Sequence, residues 1–469
     1  LISCKVSLKH ISMKWIYIIF LMLYAFHLSA NDMGGRWKGN IGSDDKPFFI
    51  IFNIEIHADS ISGVADSPNQ HKYGIPITSI IVEDKNVDIK ITPFNLNFKG
   101  TFTSENTLEG NIVQNGKSLT CVFNKLDRPQ EPRPPYNYES KNIVFKNEIE
   151  NFYLAGTLTI PNKMNGFPAV VLISGSGLQN RDEEIFDHRP FRVIADYLSR
   201  RGIAVLRYDD RGYNWSKGRA DSTSMEGYMF DAMSAVNYLK TVPGLDTTRI
   251  GLIGHSEGGT IAFMAAARNP SISYIISMAG MGIPGDSLML IQNRDILLAE
   301  GYSEEISSSY CALLQRVFDI YKTYTTEYIL DNLQSLIQEV YTNNPLDLPD
   351  ELKKNITLLL KTPVSYYLKD FLKHNPIYDL AQISCPVLAI NGEVDLQVNS
   401  FLNLNAIYKG VHNNGNDKVT IIEYPNLNHL FQTAQTGRIS EYGSITETIS
   451  PQVLEDMYNW ITQVVSTLQ

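Results

Sequence analysis

The hydrophobic positions of this chain follow two patterns, one on each side of a proline-rich stretch. In the first, short runs rich in Ile, Val and Phe alternate with turn residues, as in Phe48–Phe52, Val87–Ile91 and Leu96–Gly100. Strands that are short and closely spaced by glycines are typical of antiparallel β structure. The pattern therefore predicts a small antiparallel all-β domain, a barrel or a sandwich, over residues 31–127.

The proline-rich stretch itself is Arg128–Pro135, in which four of eight residues are proline. Proline favours extended and semi-rigid chain. We therefore expect a linker over residues 128–141 and a domain boundary there.

Beyond the linker, fully apolar segments alternate with segments of helical periodicity. The predicted strands are Pro168–Ile173, Ile203–Arg207, Arg249–Ile253, Tyr274–Met278, Pro386–Ile390 and Val419–Glu423, and the predicted helices include Pro190–Arg201, Met225–Lys240 and Met457–Leu468. Apolar strands joined by helical crossovers indicate a parallel sheet that is covered on both faces. Residues 142–469 are thus predicted to form an α/β domain with a mostly parallel central sheet.

The strand signal disappears between about residues 284 and 376. Helical stretches such as Ile306–Tyr321 and Tyr328–Val340 take its place. An insertion that follows the carboxyl end of a strand lies where ligands bind in such sheets. We therefore predict a helical cap over a binding site.

Candidate chemistry is concentrated in Leu252–Thr260, where Ser256 stands between Gly254 and Gly258. The spacing G-x-S-x-G after an apolar strand is typical of a nucleophile elbow, a strand-to-helix turn so tight that larger side chains would collide. The helix is predicted to begin at Glu257, whose amide would point toward the reacting oxygen. Ser256 is the predicted nucleophile, with an ordinary structural turn as the alternative.

A serine hydroxyl needs a base, and the base needs an acid that holds it in the right tautomer. Of the nine histidines, His412 and His429 alone follow the expected acid, and His429 comes directly after the last strand, whereas His412 precedes that strand. His429 is therefore the predicted base. Asp395 and Glu393 compete for the acid in the loop after Ile390, and Asp395 is preferred because the loop must clear the strand before it turns.

An oxyanion requires two preorganised amide donors. Glu257 supplies one, and Ser176 in the Gly-rich loop after Ile173 is the preferred second donor; that loop lacks the pattern and the lysine of a phosphate-binding loop. The charged group Asp209, Asp210 and Arg211 is expected to be structural and to brace a loop beneath the site, with direct substrate contact as the alternative. For Arg181–Glu184 the sequence leaves open an entrance to the site or a solvated surface.

The net charge of −10, without blocks of Lys or Arg, argues against a nucleic-acid partner. Cys121, Cys311 and Cys385 are scattered, so neither a disulfide framework nor a zinc site is predicted. No His, Asp and Glu cluster has metal-ligand spacing, and we expect neither metal nor cofactor.

Residues 1–30 resemble a targeting segment. Met13 and Lys14 open it, Trp15–Leu28 is apolar, and Ala30 ends it, while residues 1–12 are expected to lie upstream of the true start. The apolar run is short for a membrane span. We expect an exported protein, periplasmic or secreted, with no stable membrane span after cleavage; the alternative is an uncleaved anchor.

With these residues assembled, the region from about Asn142 onward resembles the α/β-hydrolase superfamily, and within it exported bacterial carboxylesterases related to serine-aminopeptidase-like hydrolases. The matching segments are Ser174–Gly177 with Arg181 and Asp182, Asp209–Gly212, Gly254–Gly258, Gly392 with Asp395–Val398, and Asn428–Gln432. The resemblance implies the α/β-hydrolase fold with a cap and cleavage of short-chain esters on Ser256, Asp395 and His429. A small-molecule ester is the expected substrate. Peptide or thioester cleavage on the same residues, and a binding protein without activity, are the alternatives.

Overall fold

The computed structural model describes residues 33–467 apart from residues 44, 58–59, 163–164 and 343–346. The chain divides into two compact units, Leu1–Leu126 and Asp127–Gln469. The predicted leader, residues 1–30, lies outside the described residues. Among the helices that are described, none is both long and apolar enough to cross a bilayer.

The first unit is an open antiparallel sheet with the order β4-β3-β2-β1-β9-β8-β7-β6-β5, counted over the described residues. Its strands are β1 (Gly35–Asn40), β2 (Phe49–His57), β3 (Ser60–Ser67), β4 (Lys72–Pro76), β5 (Ser79–Glu83), β6 (Asn86–Ile91), β7 (Leu96–Ser104), β8 (Thr107–Gln114) and β9 (Lys117–Lys125). Phe52 stacks on Phe123 with ring centroids 4.6 Å apart, in a core that also buries Trp37 and Phe98. The antiparallel prediction agrees with this sheet, but its size does not: the unit is a large half-barrel, because neighbouring hairpins extend one sheet rather than pairing two.

The second unit contains a sheet with the order β10-β11-β13-β12-β14-β15-β16-β17 within the described part of the chain. The strands are β10 (Tyr138–Asn147), β11 (Phe152–Pro161), β12 (Phe167–Ile173), β13 (Ala204–Tyr208), β14 (Leu245–His255), β15 (Tyr274–Met278), β16 (Val387–Gly392) and β17 (Val419–Tyr424). All pairs from β13 to β17 are parallel. The predicted mostly parallel sheet is therefore present.

Helices cover both faces of this sheet. They are α1 (Pro190–Ser199), α2 (Met225–Leu239), α3 (Glu257–Arg268), α11 (Ser400–His412) and α12 (Pro451–Thr467). One apolar core joins α2, α3 and α11 to the sheet, and a second core joins α1 and α12 to its other face. Two layers of core hold the strand ends in fixed positions, and the site is built on those ends.

The strands β10 and β11 form an antiparallel hairpin that the sequence did not predict. Tyr138 pairs with Pro161 and Asn147 with Phe152. The strand β10 begins inside the range predicted as linker, because its first half, residues 138–142, is mostly exposed and contains no aliphatic residue. The segment before it is also anchored, since the side-chain amide of Gln130 donates to the carbonyl of Ile449 at 2.7 Å.

Seven helices lie between β15 and β16 in the described residues. They are α4 (Gly285–Ala299), α5 (Glu304–Thr323), α6 (Thr326–Asp331), α7 (Leu333–Tyr341), α8 (Asp350–Lys361), α9 (Tyr366–Lys373) and α10 (Ile377–Leu380). Several share a core of their own that includes Leu313, Val317, Ile356 and Leu360. The helix predicted over Tyr328–Val340 is two helices, α6 and α7, which meet at Asn332.

Candidate active site

Ser256 stands at the sharp turn between β14 and α3. Its φ of 54° and ψ of −123° lie in a region that residues with a side chain rarely adopt. The amide of Ser256 donates to the carbonyl of Met278 at 2.7 Å, which ties the turn to the neighbouring strand. Strained backbone of this kind is common at functional positions and persists because surrounding contacts enforce it.

The glycines on either side of Ser256 are required by contact with backbone. A Cβ atom on Gly254 would lie 2.0 Å from the carbonyl oxygen of Gly258, and one on Gly258 would lie 2.1 Å from that of Ile173. No real Cβ atom tolerates these distances. The spacing G-x-S-x-G thus follows from the close approach of the helix start to strands β14 and β12.

His429 and Asp395 are in direct contact. The Nδ1 atom of His429 lies 2.7 Å from Oδ2 of Asp395, and both side chains are almost completely buried. The other carboxylate oxygen of Asp395 accepts from the amides of Gln397 and Val398 at 2.8 and 2.9 Å. Because the carboxylate accepts at Nδ1, the neutral imidazole keeps its proton there and leaves Nε2 as the basic nitrogen.

The loop that carries His429 is fixed by its own side chains. The side-chain oxygen of Asn428 accepts from the amides of Leu430 and Gln432, each at 3.0 Å. Glu393, the alternative acid, accepts instead from the amide of Asn426 at 3.1 Å and is exposed. The structure therefore brings Asp395, and not Glu393, to His429.

Ser176, Ser256 and Glu257 line one cavity of about 220 Å³. The loop that carries Ser176 packs against the turn, since a Cβ atom on Gly175 would lie 3.1 Å from Cβ of Ser256. The two predicted oxyanion donors are therefore on the segments that flank the serine. Glu257 is the first residue of α3, where backbone amides have no partner within the helix.

The rest of the cavity is mainly apolar and belongs largely to the inserted helices. Helix α4 contributes Leu288, Met289 and Gln292, and α9 contributes Tyr367, Leu368 and Phe371; Met281, Gln397 and Val398 complete the wall. The insertion thus supplies much of the wall of the cavity that Ser256 also lines. A pocket with apolar walls and few polar groups suits a small organic ligand.

Residues 230–434 match the family model "BAAT / Acyl-CoA thioester hydrolase C terminal", and residues 155–296 match the dienelactone hydrolase family. The esterase EstD of Thermotoga maritima is 25% identical over 352 residues, which cover 74% of each chain. The chain belongs to the α/β-hydrolase superfamily. It is a hydrolase related to esterases and thioesterases.

Two further matches accompany these. The thiohydrolase aneE of Aspergillus aculeatus is 31% identical over 160 residues, 32% of this α/β hydrolase and 48% of that protein. The solved structure of the esterase Pf2001 of Pyrococcus furiosus is 17% identical, covers 71% of this chain and 98% of its own, and superimposes with a TM-score of 0.42.

A buried pair that the sequence did not predict, Glu183 and His255, joins the loops of this α/β hydrolase. Oε1 of Glu183 accepts from the amide of Gly175 at 2.7 Å and lies 3.0 Å from Nδ1 of His255. The Nε2 atom of His255 lies 2.9 Å from the carbonyl oxygen of His429. For Glu183 the sequence leaves open an entrance to the site or a solvated surface, but its side chain is buried. Glu183 is a charged residue in a polar run, and nothing in that run predicts that its side chain is buried.

The contacts of His255 favour its imidazolium form. Its two ring nitrogens face a carboxylate and a carbonyl oxygen, which both accept, so both nitrogens must carry protons. Burial opposes the charged form, but the Glu183 carboxylate, the His429 carbonyl and the charge of Asp395 together outweigh it and raise the pKa of His255 above its usual value. The cation lies beside the His429 ring, with centroids 4.9 Å apart.

The group Asp209, Asp210 and Arg211 is buried, and its members contact different partners. Asp209 pairs with Arg181 at 2.7 Å, and Arg211 pairs with Asp231 at 2.7 Å. Oδ1 of Asp210 accepts instead from the Ser174 hydroxyl at 2.8 Å, and burial raises the pKa of Asp210 well above the usual range. The contacts of Asp209 and Asp210 hold the loop after β12, whereas Arg211 contacts helix α2.

Proposed function

We propose that this hydrolase cleaves carboxylic esters through an acyl-enzyme intermediate on Ser256. His429 acts as the base, Asp395 orients it, and the amides of Ser176 and Glu257 receive the oxyanion. The inserted helices act as the cap that encloses the substrate.

One observation carries the proposal: the 2.7 Å contact between His429 Nδ1 and Asp395, in a site whose serine occupies a strained elbow at the cavity wall. A buried carboxylate on Nδ1 serves to select the tautomer with a basic Nε2 and to stabilise the imidazolium that forms when this nitrogen takes a proton. The buried Glu183–His255 pair differs, because both ring nitrogens of His255 already have partners.

The reaction proceeds in two displacements. Ser256 Oγ attacks the ester carbonyl carbon while its proton passes to His429 Nε2, and the negative charge on the carbonyl oxygen is stabilised by the two amides. The tetrahedral intermediate collapses, the C–O bond to the alcohol breaks, and His429 returns the proton to the departing oxygen. Water then repeats the sequence against the acyl-enzyme and releases the acid and Ser256.

The cavity favours small acyl or alcohol groups. Its volume of about 220 Å³ is below the range of roughly 300–1,000 Å³ that is usual for ligand pockets. Thioesters are the second candidate substrate class, because the family model that matches residues 230–434 is described as an acyl-CoA thioester hydrolase domain.

The test compares three substrates that carry the same short acyl group, a p-nitrophenyl ester, a coenzyme A thioester and a p-nitroanilide. We expect the ester to have the highest kcat/KM and Ser256→Ala to lose it by about 10⁴-fold or more. Ser222→Ala changes an exposed serine and serves as the matched control. Faster thioester or anilide turnover would overturn the ester assignment, and unchanged turnover in Ser256→Ala would overturn the mechanism.

A further inference from the structure

The wall of the cavity contains an acidic position that the proposed reaction does not use. The side chain of Glu257 is buried, and Glu257 lines the cavity together with Tyr367 from α9. The reaction needs the backbone amide of Glu257 and makes no demand on its carboxyl group. Among the neighbouring wall residues, Met281, Leu288 and Phe371 are apolar.

The polar atoms at this position are not fully hydrogen-bonded. The Tyr367 hydroxyl and the Glu257 carboxyl group interact with each other through a loose hydrogen bond. Among the described residues, neither Oε1 of Glu257 nor the Tyr367 hydroxyl oxygen, both buried, has a partner at ordinary hydrogen-bond geometry. Native proteins rarely leave such groups unsatisfied, because desolvation without a hydrogen bond costs free energy. A buried carboxyl–phenol pair with hydrogen-bonding capacity left over at a cavity wall indicates that a ligand supplies a further partner.

The surroundings select the type of partner. In addition to burial, the negative charge of Asp370 on α9 raises the pKa of the Glu257 carboxyl group. The charge of Glu257 likewise adds to the effect of burial and raises the pKa values of Asp210, after β13, and of Tyr228 on α2. These neighbours are acids or phenols, and none of the described residues that line the cavity is Lys or Arg. Burial raises the pKa of Glu257 to about 7. A hydrogen-bond donor, neutral or cationic, fits this environment, whereas a carboxylate or phosphate does not.

We propose that the Glu257 carboxyl group and the Tyr367 hydroxyl bind a hydrogen-bond donor, an amino or a hydroxyl group, on the substrate ester. This inference rests on the proposed function, because it places the donor on the part of the ester that fills the cavity beside Ser256. The preferred substrates are then amino- or hydroxy-substituted esters rather than plain alkyl esters.

The test uses two series of esters of equal chain length. The acyl series is p-nitrophenyl hexanoate, 6-hydroxyhexanoate and 6-aminohexanoate; the alcohol series is the acetates of hexanol, 1,6-hexanediol and 6-aminohexanol. The wild type, Glu257→Gln and Tyr367→Phe are compared by kcat/KM. Glu300→Gln is the control, because Glu300 is an exposed glutamate of the insertion that also carries Tyr367.

In one of the series we expect the wild type to prefer a donor-bearing ester by at least about tenfold over the plain ester. Glu257→Gln and Tyr367→Phe should each reduce that preference, and Glu300→Gln should keep it. A preference for the amino ester that rises as the pH passes 7 identifies an ammonium group, because ionised Glu257 binds a cation more strongly. A preference for the hydroxy ester without this pH dependence identifies a hydroxyl group.

Equal kcat/KM for the three esters of both series would overturn the inference, and so would an unchanged preference in both Glu257→Gln and Tyr367→Phe. Either result leaves ester hydrolysis on Ser256 intact. If no ester is cleaved and a fluorophosphonate fails to label Ser256, the proposed function is wrong and this inference falls with it.

Discussion

The Nε2 atom of His255 lies 2.9 Å from the backbone carbonyl oxygen of His429. This contact joins the residue before the proposed nucleophile to the loop of the proposed base. Through Glu183 the same imidazolium reaches the amide of Gly175, on the loop that carries Ser176. Three separate segments of the site are thus positioned by one buried charged pair, and preorganisation of this kind is what acyl transfer requires.

Glu183→Gln is expected to destabilise the fold by about 3 kcal/mol at pH 6, because it leaves the His255 cation buried without its counter-charge. The effect depends on pH. The pKa of His255 is raised in the folded state, so the pair stabilises the fold fully below the unfolded value near 6.5, and this stabilisation is lost as the pH rises through the folded value.

Urea unfolding at pH 6 and pH 9 measures this dependence. The destabilisation should be larger at pH 6. Glu139→Gln removes an exposed carboxylate and should stay within about 0.5 kcal/mol of wild type at both pH values. Equal destabilisation of Glu183→Gln at the two pH values would contradict the assignment of His255 as a cation.

Asp395→Asn should lower kcat by about 10⁴-fold, since an amide at this position no longer selects the tautomer with a basic Nε2. The overall fold should persist, because the amide oxygen can still accept from Gln397 and Val398. Steady-state kinetics with a p-nitrophenyl ester measures the loss. Asp417→Asn, at an exposed carboxylate paired with His412, is the control. A comparable loss in Glu393→Gln would show that the acid has been assigned to the wrong carboxylate.

Gly258→Ala should destabilise the protein by at least about 2 kcal/mol, because its Cβ atom would lie 2.1 Å from a backbone oxygen that cannot move aside. Gly443→Ala is the matched control: its nearest neighbours are side-chain atoms of Phe186 at 3.7 and 3.9 Å. Thermal unfolding compares the two. Similar melting temperatures for both variants would mean that the elbow is looser than its distances indicate.

Glu257→Gln should become more stable than wild type as the pH rises. Burial raises the pKa of Glu257 from 4.5 to about 7, so the folded state favours the protonated acid, and the stability present below pH 4.5 is lost as the pH rises through 7. The difference between those two values corresponds to roughly 3 kcal/mol. Because glutamine does not ionise, the gain of the variant over wild type should grow between pH 5 and pH 8. A gain in stability that does not change with pH would contradict the raised pKa of the Glu257 carboxyl group.

Periodicity and motif spacing were sufficient to predict the parallel sheet and the helical insertion, because strands such as Tyr274–Met278 are apolar throughout and leave no competing pattern. The hairpin of β10 and β11 was missed because the first half of β10 is exposed and shows no apolar alternation. The half-barrel was underestimated for a different reason: alternation along a strand reports which face is buried but not how many hairpins join one sheet.

At the site, the order of residues along the chain was enough to choose Ser256, Asp395 and His429 as candidates. In this fold the nucleophile, the acid and the base are each expected in a loop that follows a strand, in that order. The order of residues does not reveal contacts between residues that are distant in sequence and lie outside the motifs. Glu183 and His255 are 72 residues apart, and Tyr367 lies on an inserted helix whose docking depends on tertiary packing. These residues need the structure to be found.

The most direct test of the central claim is covalent labelling of the folded wild-type protein with a fluorophosphonate, followed by mass spectrometry of the digested peptides. The account predicts one modified residue, Ser256, with labelling abolished in Ser256→Ala, strongly slowed in His429→Ala and unchanged in His412→Ala. Labelling at another serine, or none at Ser256 in protein that is demonstrably folded, would contradict it.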